Sequence, residues 1–258
     1  MIRSANVCIA GRAAKPSEYR KYQVKNLPAT VDLGVTVVMG RPFPKPFSKG
    51  LARLVDELSR ILSQFPRVVF HAYKASHFHA TVAPVRRTDF DLALYERAPG
   101  DLTRKQRRQI DARPVSRRRI RAVLAEASPF EIEVCNGRIE ITGRGEVLLW
   151  GSARSREDRR QLASLRKELR ARAGCDGRDQ GHAIHVTLGA IQGFRELTRR
   201  QKEEITRRIR EFWDSEPHQR YLAGPGIACI RQVSLVYYRN RSLRSDFRPA
   251  VTLPLKGT

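Results

Sequence analysis

Two stretches decide how the rest of the chain is read: His77-Phe78-His79-Ala80-Thr81-Val82-Ala83 and Ala183-Ile184-His185-Val186-Thr187-Leu188-Gly189. Each holds a His, a small or apolar residue, a Thr and another apolar residue, inside a run that alternates with the period of a β-strand. Residues two apart on a strand point to one face. His79 and Thr81 therefore share a face, as do His185 and Thr187, while Ala80, Val82, Ile184, Val186 and Leu188 turn to the other side as core. One His-x-Thr on a strand is weak. Two in matched context suggest two halves of one site.

The chain of 258 residues is long enough for a substantial core. Its 50 Lys and Arg stand against 26 Asp and Glu, a formal net charge of +24. Such an imbalance predicts attraction to polyanions and points to RNA, an oligonucleotide or a nucleotide as partner. Cys8, Cys135, Cys175 and Cys229 are scattered, in neither a zinc-ligand spacing nor a disulfide framework. The N-terminal apolar run 7–10 is too short for a signal peptide or membrane helix. A cytoplasmic protein with reduced thiols, no membrane association and a monomeric state is the expectation.

Working outward from the motifs, residues 31–39 (VDLGVTVVM) read as a buried strand. Pro42, Pro44 and Pro46 break it, and Ser48 caps a helix to about Phe65 with Leu51, Leu54, Val55, Leu58, Ile61 and Leu62 at helical spacing. Strands follow at 68–73 and 75–85, the second carrying the first motif. Residues 106–110 and 117–127 read as helical, and 130–134, 139–142 and 146–150 as strands. Asn136-Gly137 marks a hairpin between the first two of these. A helix over 156–173, the second motif strand, a helix over 198–214 with Thr198 as cap, and strands at 228–238 and 250–255 complete the pattern. Residues 1–29 form a basic extension to a single domain over 30–258, which contains an Arg-rich segment at about 86–119.

The pair His79-Ala80-Thr81-Val82 and His185-Val186-Thr187-Leu188 resembles the 2H phosphoesterase superfamily, the group of 2′-5′ RNA ligase-like proteins and cyclic phosphodiesterases. Two His-apolar-Thr/Ser-apolar motifs, one per lobe, define it. The resemblance runs over roughly residues 30–255 and implies an α+β fold. That fold is bilobal with pseudo-two-fold symmetry: two mainly antiparallel sheets flank a central cleft, with helices outside. It also implies a phosphodiesterase that hydrolyses 2′,3′-cyclic phosphates or cleaves 2′-5′ or 3′-5′ linkages in RNA. A 2′-5′ RNA ligase, or a non-catalytic RNA-binding protein on the same fold, are the alternatives.

Two imidazoles facing a phosphodiester suit this chemistry, one accepting a proton from the attacking oxygen and the other donating to the leaving one. His79 and His185 take those roles, in an order that the sequence leaves open. Thr81 and Thr187 hold the non-bridging phosphate oxygens. The scheme needs no metal and no cofactor. His77 shares the face of His79, where a His-x-His pair can bind zinc, and reads as strand-end filler or a supporting partner in the absence of a nearby Cys or carboxylate. Tyr73, Tyr237, Tyr238 and Arg239 are candidates for substrate binding. Arg107, Arg108, Arg117, Arg118 and Arg119 are candidates for contact with a nucleic-acid backbone.

Overall fold

The computed structural model describes residues 34–41, 43–66, 68–87, 117–175, 181–215, 222, 226–238 and 248–256. The expected N-terminal extension, most of the Arg-rich segment and the helix over 106–110 lie outside these residues. In order the elements are β1 (Gly34–Met39), α1 (Lys45–Leu62), β2 (Val69–Ala72), β3 (Ala80–Arg87), α2 (Arg117–Glu126), β4 (Phe130–Glu133), β5 (Ile139–Ile141), β6 (Glu146–Ala153), α3 (Arg156–Ala173), β7 (Ala183–Gln192), α4 (Arg199–Asp214), β8 (Ile227–Ile230), β9 (Gln232–Tyr238) and β10 (Arg248–Pro254). No helix among the described residues is long and apolar enough to cross a membrane.

The strands form one antiparallel path, β10-β9-β1-β3-β7-β6-β4-β8, with β2 added to β7 and β5 to β6. The two expected sheets are the halves of this path, joined at its middle by a single residue pair between β3 and β7, Ala80 with Val186. The sequence stretch 228–238 does not form one strand. It divides at Arg231, with β8 pairing to β4 at one edge of the path and β9 pairing to β1 one strand in from the other edge, β10. Consecutive strands that lie near opposite ends of one sheet require it to curl. The C-terminal residues brace this corner, with Leu255 N–H donating to Arg231 O at 2.8 Å and Lys256 N–H to Ala127 O at 2.7 Å.

α1 buries all six of its predicted apolar positions and Phe47 as well. It begins at Lys45 rather than Ser48, since a proline costs nothing in a first turn whose N–H groups have no helical partner. The ends of α3 are sharply defined: Ser155 and Asp158 form a capping box, and Gly174 takes the left-handed conformation (φ 66°). Thr198 caps α4 in the same way with Gln201, as its position predicts.

The reading of Asn136-Gly137 as a hairpin between β4 and β5 is overturned, because those strands do not pair. β5 pairs with β6, and β4 with β6 and β8. The physical reason lies at Gly137, where an added Cβ would stand 1.7 Å from the Trp150 carbonyl oxygen. The turn presses flat onto β6, and Trp150 N–H donates to Arg138 O at 2.8 Å. The true hairpin runs through Gly143–Gly145, between β5 and β6.

Candidate active site

The Ala80–Val186 pair positions the site. Carrying that antiparallel register one residue each way sets His79 opposite Thr187 and Thr81 opposite His185. All four side chains fall on one face, since Ala80 and Val186 (both 0% exposed) turn into the core. The burial of β7 alternates accordingly, with Ile184, Val186 and Leu188 buried and His185 and Thr187 half-buried. The two histidines are diagonal neighbours across the strands, about 7–8 Å apart at the backbone. That leaves room for a phosphate between the rings. A half-turn about the Ala80–Val186 pair exchanges one motif for the other.

The expected strand over 75–85 starts five residues later than the sequence suggests. Ala75–His77 is a 3-10 turn, because the chain must leave β7 at the Ala72–Gly189 pair and step across to join β1 at Met39. His77 therefore does not share a strand face with His79. Its carbonyl oxygen instead lies 2.8 Å from His79 Nδ1. A carbonyl only accepts, so Nδ1 carries the proton and the lone pair sits on Nε2. His79 is 7% exposed, and its pKa is pushed down to about 4. Burial is the main cause and the positive charges of Arg41, His185 and His77 add to it, while the bond to His77 O opposes them. The ring is neutral at physiological pH, in the tautomer that a general base requires.

Sequence reasoning missed three residues. Arg41 follows Gly40, whose positive φ (85°) turns the chain off the end of β1. Its guanidinium donates twice to Ser76 O (Nε 3.2 Å, Nη2 2.9 Å), bracing the 3-10 turn and placing a cation beside His79. Desolvation lowers the Arg41 pKa to about 10, which leaves it charged. Arg166 of α3, 4% exposed, donates to Val82 O at 3.0 Å, Thr81 O at 3.4 Å and Gly181 O at 2.6 Å. It thereby ties β3 to the turn that leads into β7. An Arg on a charged helix gives no sequence signal for this. The third is Trp150, the partner of His185 on β6, with ring centroids 5.1 Å apart and planes inclined at 53°.

Of the remaining candidates, Tyr73 is 8% exposed within the core cluster, where its ring packs rather than facing a substrate. The backbone of Tyr237 pairs with Val35 and that of Tyr238 with Gly34. Arg107, Arg108 and Arg239 lie outside the described residues. Arg117 opens α2, and Arg118 and Arg119 are exposed on it. That helix packs on α3 and β10, away from the motif pair. Among the described residues no three His, Cys, Asp or Glu side chains converge as a metal-ligand set.

No protein-family model matches the sequence, and no curated protein matches it. Solved structures do. Usb1 of Kluyveromyces marxianus, in a structure with uridine monophosphate, aligns at 10% identity over 87% of this chain and 99% of its own, with a TM-score of 0.50. A conserved Agrobacterium tumefaciens protein of unknown function, ATU0111, aligns at 14% identity over 87% and 86%, also with a TM-score of 0.50. The fold is that of the 2H phosphoesterases. E. coli LigT complexed with ATP aligns over 88% of this chain and 99% of its own at 12% identity. Its TM-score of 0.46 adds no weight. At these identities the likeness concerns the 2H fold, and the chemistry rests on the residues of this chain.

Proposed function

We propose that this chain is a metal-independent phosphodiesterase acting on RNA ends or oligonucleotides, with His79 as general base and His185 as general acid. The observation that carries the reading is the single Ala80–Val186 pair, which sets the two His-x-Thr motifs against each other on one face of the sheet. His79 Nε2 takes a proton from the attacking water or hydroxyl, and that oxygen bonds to phosphorus. The Thr81 and Thr187 hydroxyls donate to the non-bridging oxygens, and Arg41 offsets their charge. The bond to the leaving oxygen breaks as the His185 ring gives up its proton. The histidines end the turnover with their protons exchanged, and solvent resets them.

The asymmetry between them supports the assignment. His79 is buried, neutral and locked in one tautomer by His77 O, while His185 is half-buried with its ring 5.1 Å from that of Trp150. The net charge of +24 suits a polyanionic substrate, and the exposed Arg118 and Arg119 suit its backbone. The uridine monophosphate in the Kluyveromyces structure belongs to the same ligand class.

The test is turnover, in EDTA, of the four nucleoside 2′,3′-cyclic phosphates and of short 2′-5′ and 3′-5′ oligonucleotides. Hydrolysis of at least one class by the wild type, lost in His79→Ala, is expected. RNA binding with no turnover on any of them would replace the enzyme with a binding protein.

A further inference from the structure

The sheet face that carries His185 continues away from the motifs into a cleft of about 370 Å³ that the proton transfer does not use. Trp150 is the cross-strand partner of His185, Ser152 of Ala183, and Glu133 of Ser152, so these side chains extend the same face across β6 to β4. Asn136, Arg138 and His182 close the rim. The volume falls within the range of small-molecule sites, about 300–1,000 Å³.

Two features of this cleft have no purpose in packing. The Trp150 indole N–H is buried and has no acceptor among the described residues. Such a donor costs stability unless a partner arrives. The Arg138 guanidinium lies 5.3 Å from the centre of the Trp150 ring, yet the side chain is 71% exposed and its ion pair with Glu140 spans 3.5 Å. A pair that open holds its partners weakly. Arg138 is thus a loose cover on an aromatic surface, and RNA bases stack on both aromatic rings and guanidinium planes.

We propose that this cleft is the subsite for the nucleobase of the leaving nucleoside, with Trp150 and Arg138 as its stacking surface. The inference rests on the proposed phosphodiesterase reading. His185, which protonates the leaving oxygen, lies against Trp150, so the nucleoside carrying that oxygen is the one beside the cleft. Asn136, Ser152, Glu133 and His182 supply donors and acceptors for the edges of the base and for its ribose.

The experiment titrates uridine 3′-monophosphate, adenosine 3′-monophosphate and inorganic phosphate into the wild type, Trp150→Phe, Trp150→Ala and Arg138→Ala. Tryptophan fluorescence and calorimetry are the readouts, and turnover of 2′,3′-cyclic phosphates is measured in parallel. The nucleotides, but not phosphate, should quench the wild type, and the quench should vanish in Trp150→Phe, where Trp213 alone emits. Trp150→Ala should weaken nucleotide affinity about tenfold or more, as loss of base stacking does, without weakening phosphate. Arg138→Ala, an exposed change that leaves the core intact, should weaken it by a smaller factor and raise KM more than it lowers kcat. Nucleotide binding that is equal in all four proteins, with turnover intact in the wild type, would overturn the subsite and leave the proposed function standing. A wild type that neither binds nucleotides nor turns over a cyclic phosphate would overturn both.

Discussion

Burial of His79 as a neutral ring makes the fold sensitive to acid in a calculable way. Its pKa lies near 4 in the folded protein against 6.5 for an ordinary His. On acidification the unfolded chain takes up its proton first, so folding loses stability as the pH falls below 6.5 and continues to lose it down to the folded pKa. The stabilising contribution is complete above about pH 6.5. At about 1.36 kcal/mol per pH unit, the integrated loss between pH 7.5 and 4.5 is about 2.6 kcal/mol from this one group. Other groups titrate over the same interval, and the +24 charge adds its own repulsion, so the comparison must be with a variant that keeps all of these. His79→Gln removes the titration and keeps a polar side chain at the site. Urea unfolding of both proteins at pH 7.5 and pH 4.5 should show the wild type losing about 2–3 kcal/mol more than the variant. Equal losses would mean that His79 is hydrated or charged in the folded state, and the general-base assignment would go with it.

Three further outcomes follow from the same geometry. The acid limb of kcat/KM, which reports groups of the free enzyme, should fall near pH 4 rather than 6.5, and a limb at 6.5 would contradict the depressed His79. Arg166→Met leaves the carbonyls of Thr81, Val82 and Gly181 without their buried donor. It should cost about 3 kcal/mol or more in denaturant unfolding and raise amide exchange in β3 and β7, and an unchanged midpoint would refute the bracing role. Gly137→Ala forces a Cβ to within 1.7 Å of Trp150 O, so β6 must shift under Trp150. A lower melting temperature by several degrees together with reduced turnover is expected, and a variant that matches the wild type in both would show that the turn is slack.

The sequence brings out the centre of the candidate site because a two-residue period constrains a strand so tightly. His79, Thr81, His185 and Thr187 can share faces in only one way once their strands exist. Helix limits are as legible where caps are chemical, as at Thr198, and less so at α1, where prolines are permitted in the first turn and mislead a reader who takes them as breakers. Non-local events are hidden. Nothing in 228–238 announces that one residue, Arg231, separates strands near opposite ends of the sheet. The exchange of strand for 3-10 turn at Ala75–His77 is set by where β2 releases β7, and with it the tautomer of His79. Arg166 and Trp150 earn their places through partners far along the chain, Thr81 and His185, which periodicity alone does not connect.

The central claim is that His79 and His185 act as one site, and kcat for His79→Ala, His185→Ala and the double variant in EDTA tests it most directly. Each single change should lower kcat by about 10²–10⁴. The double variant should be no slower than the worse single one, because groups that act as a unit are not additive. Losses that multiply in the double variant, or a single variant that turns over at the wild-type rate, would contradict it.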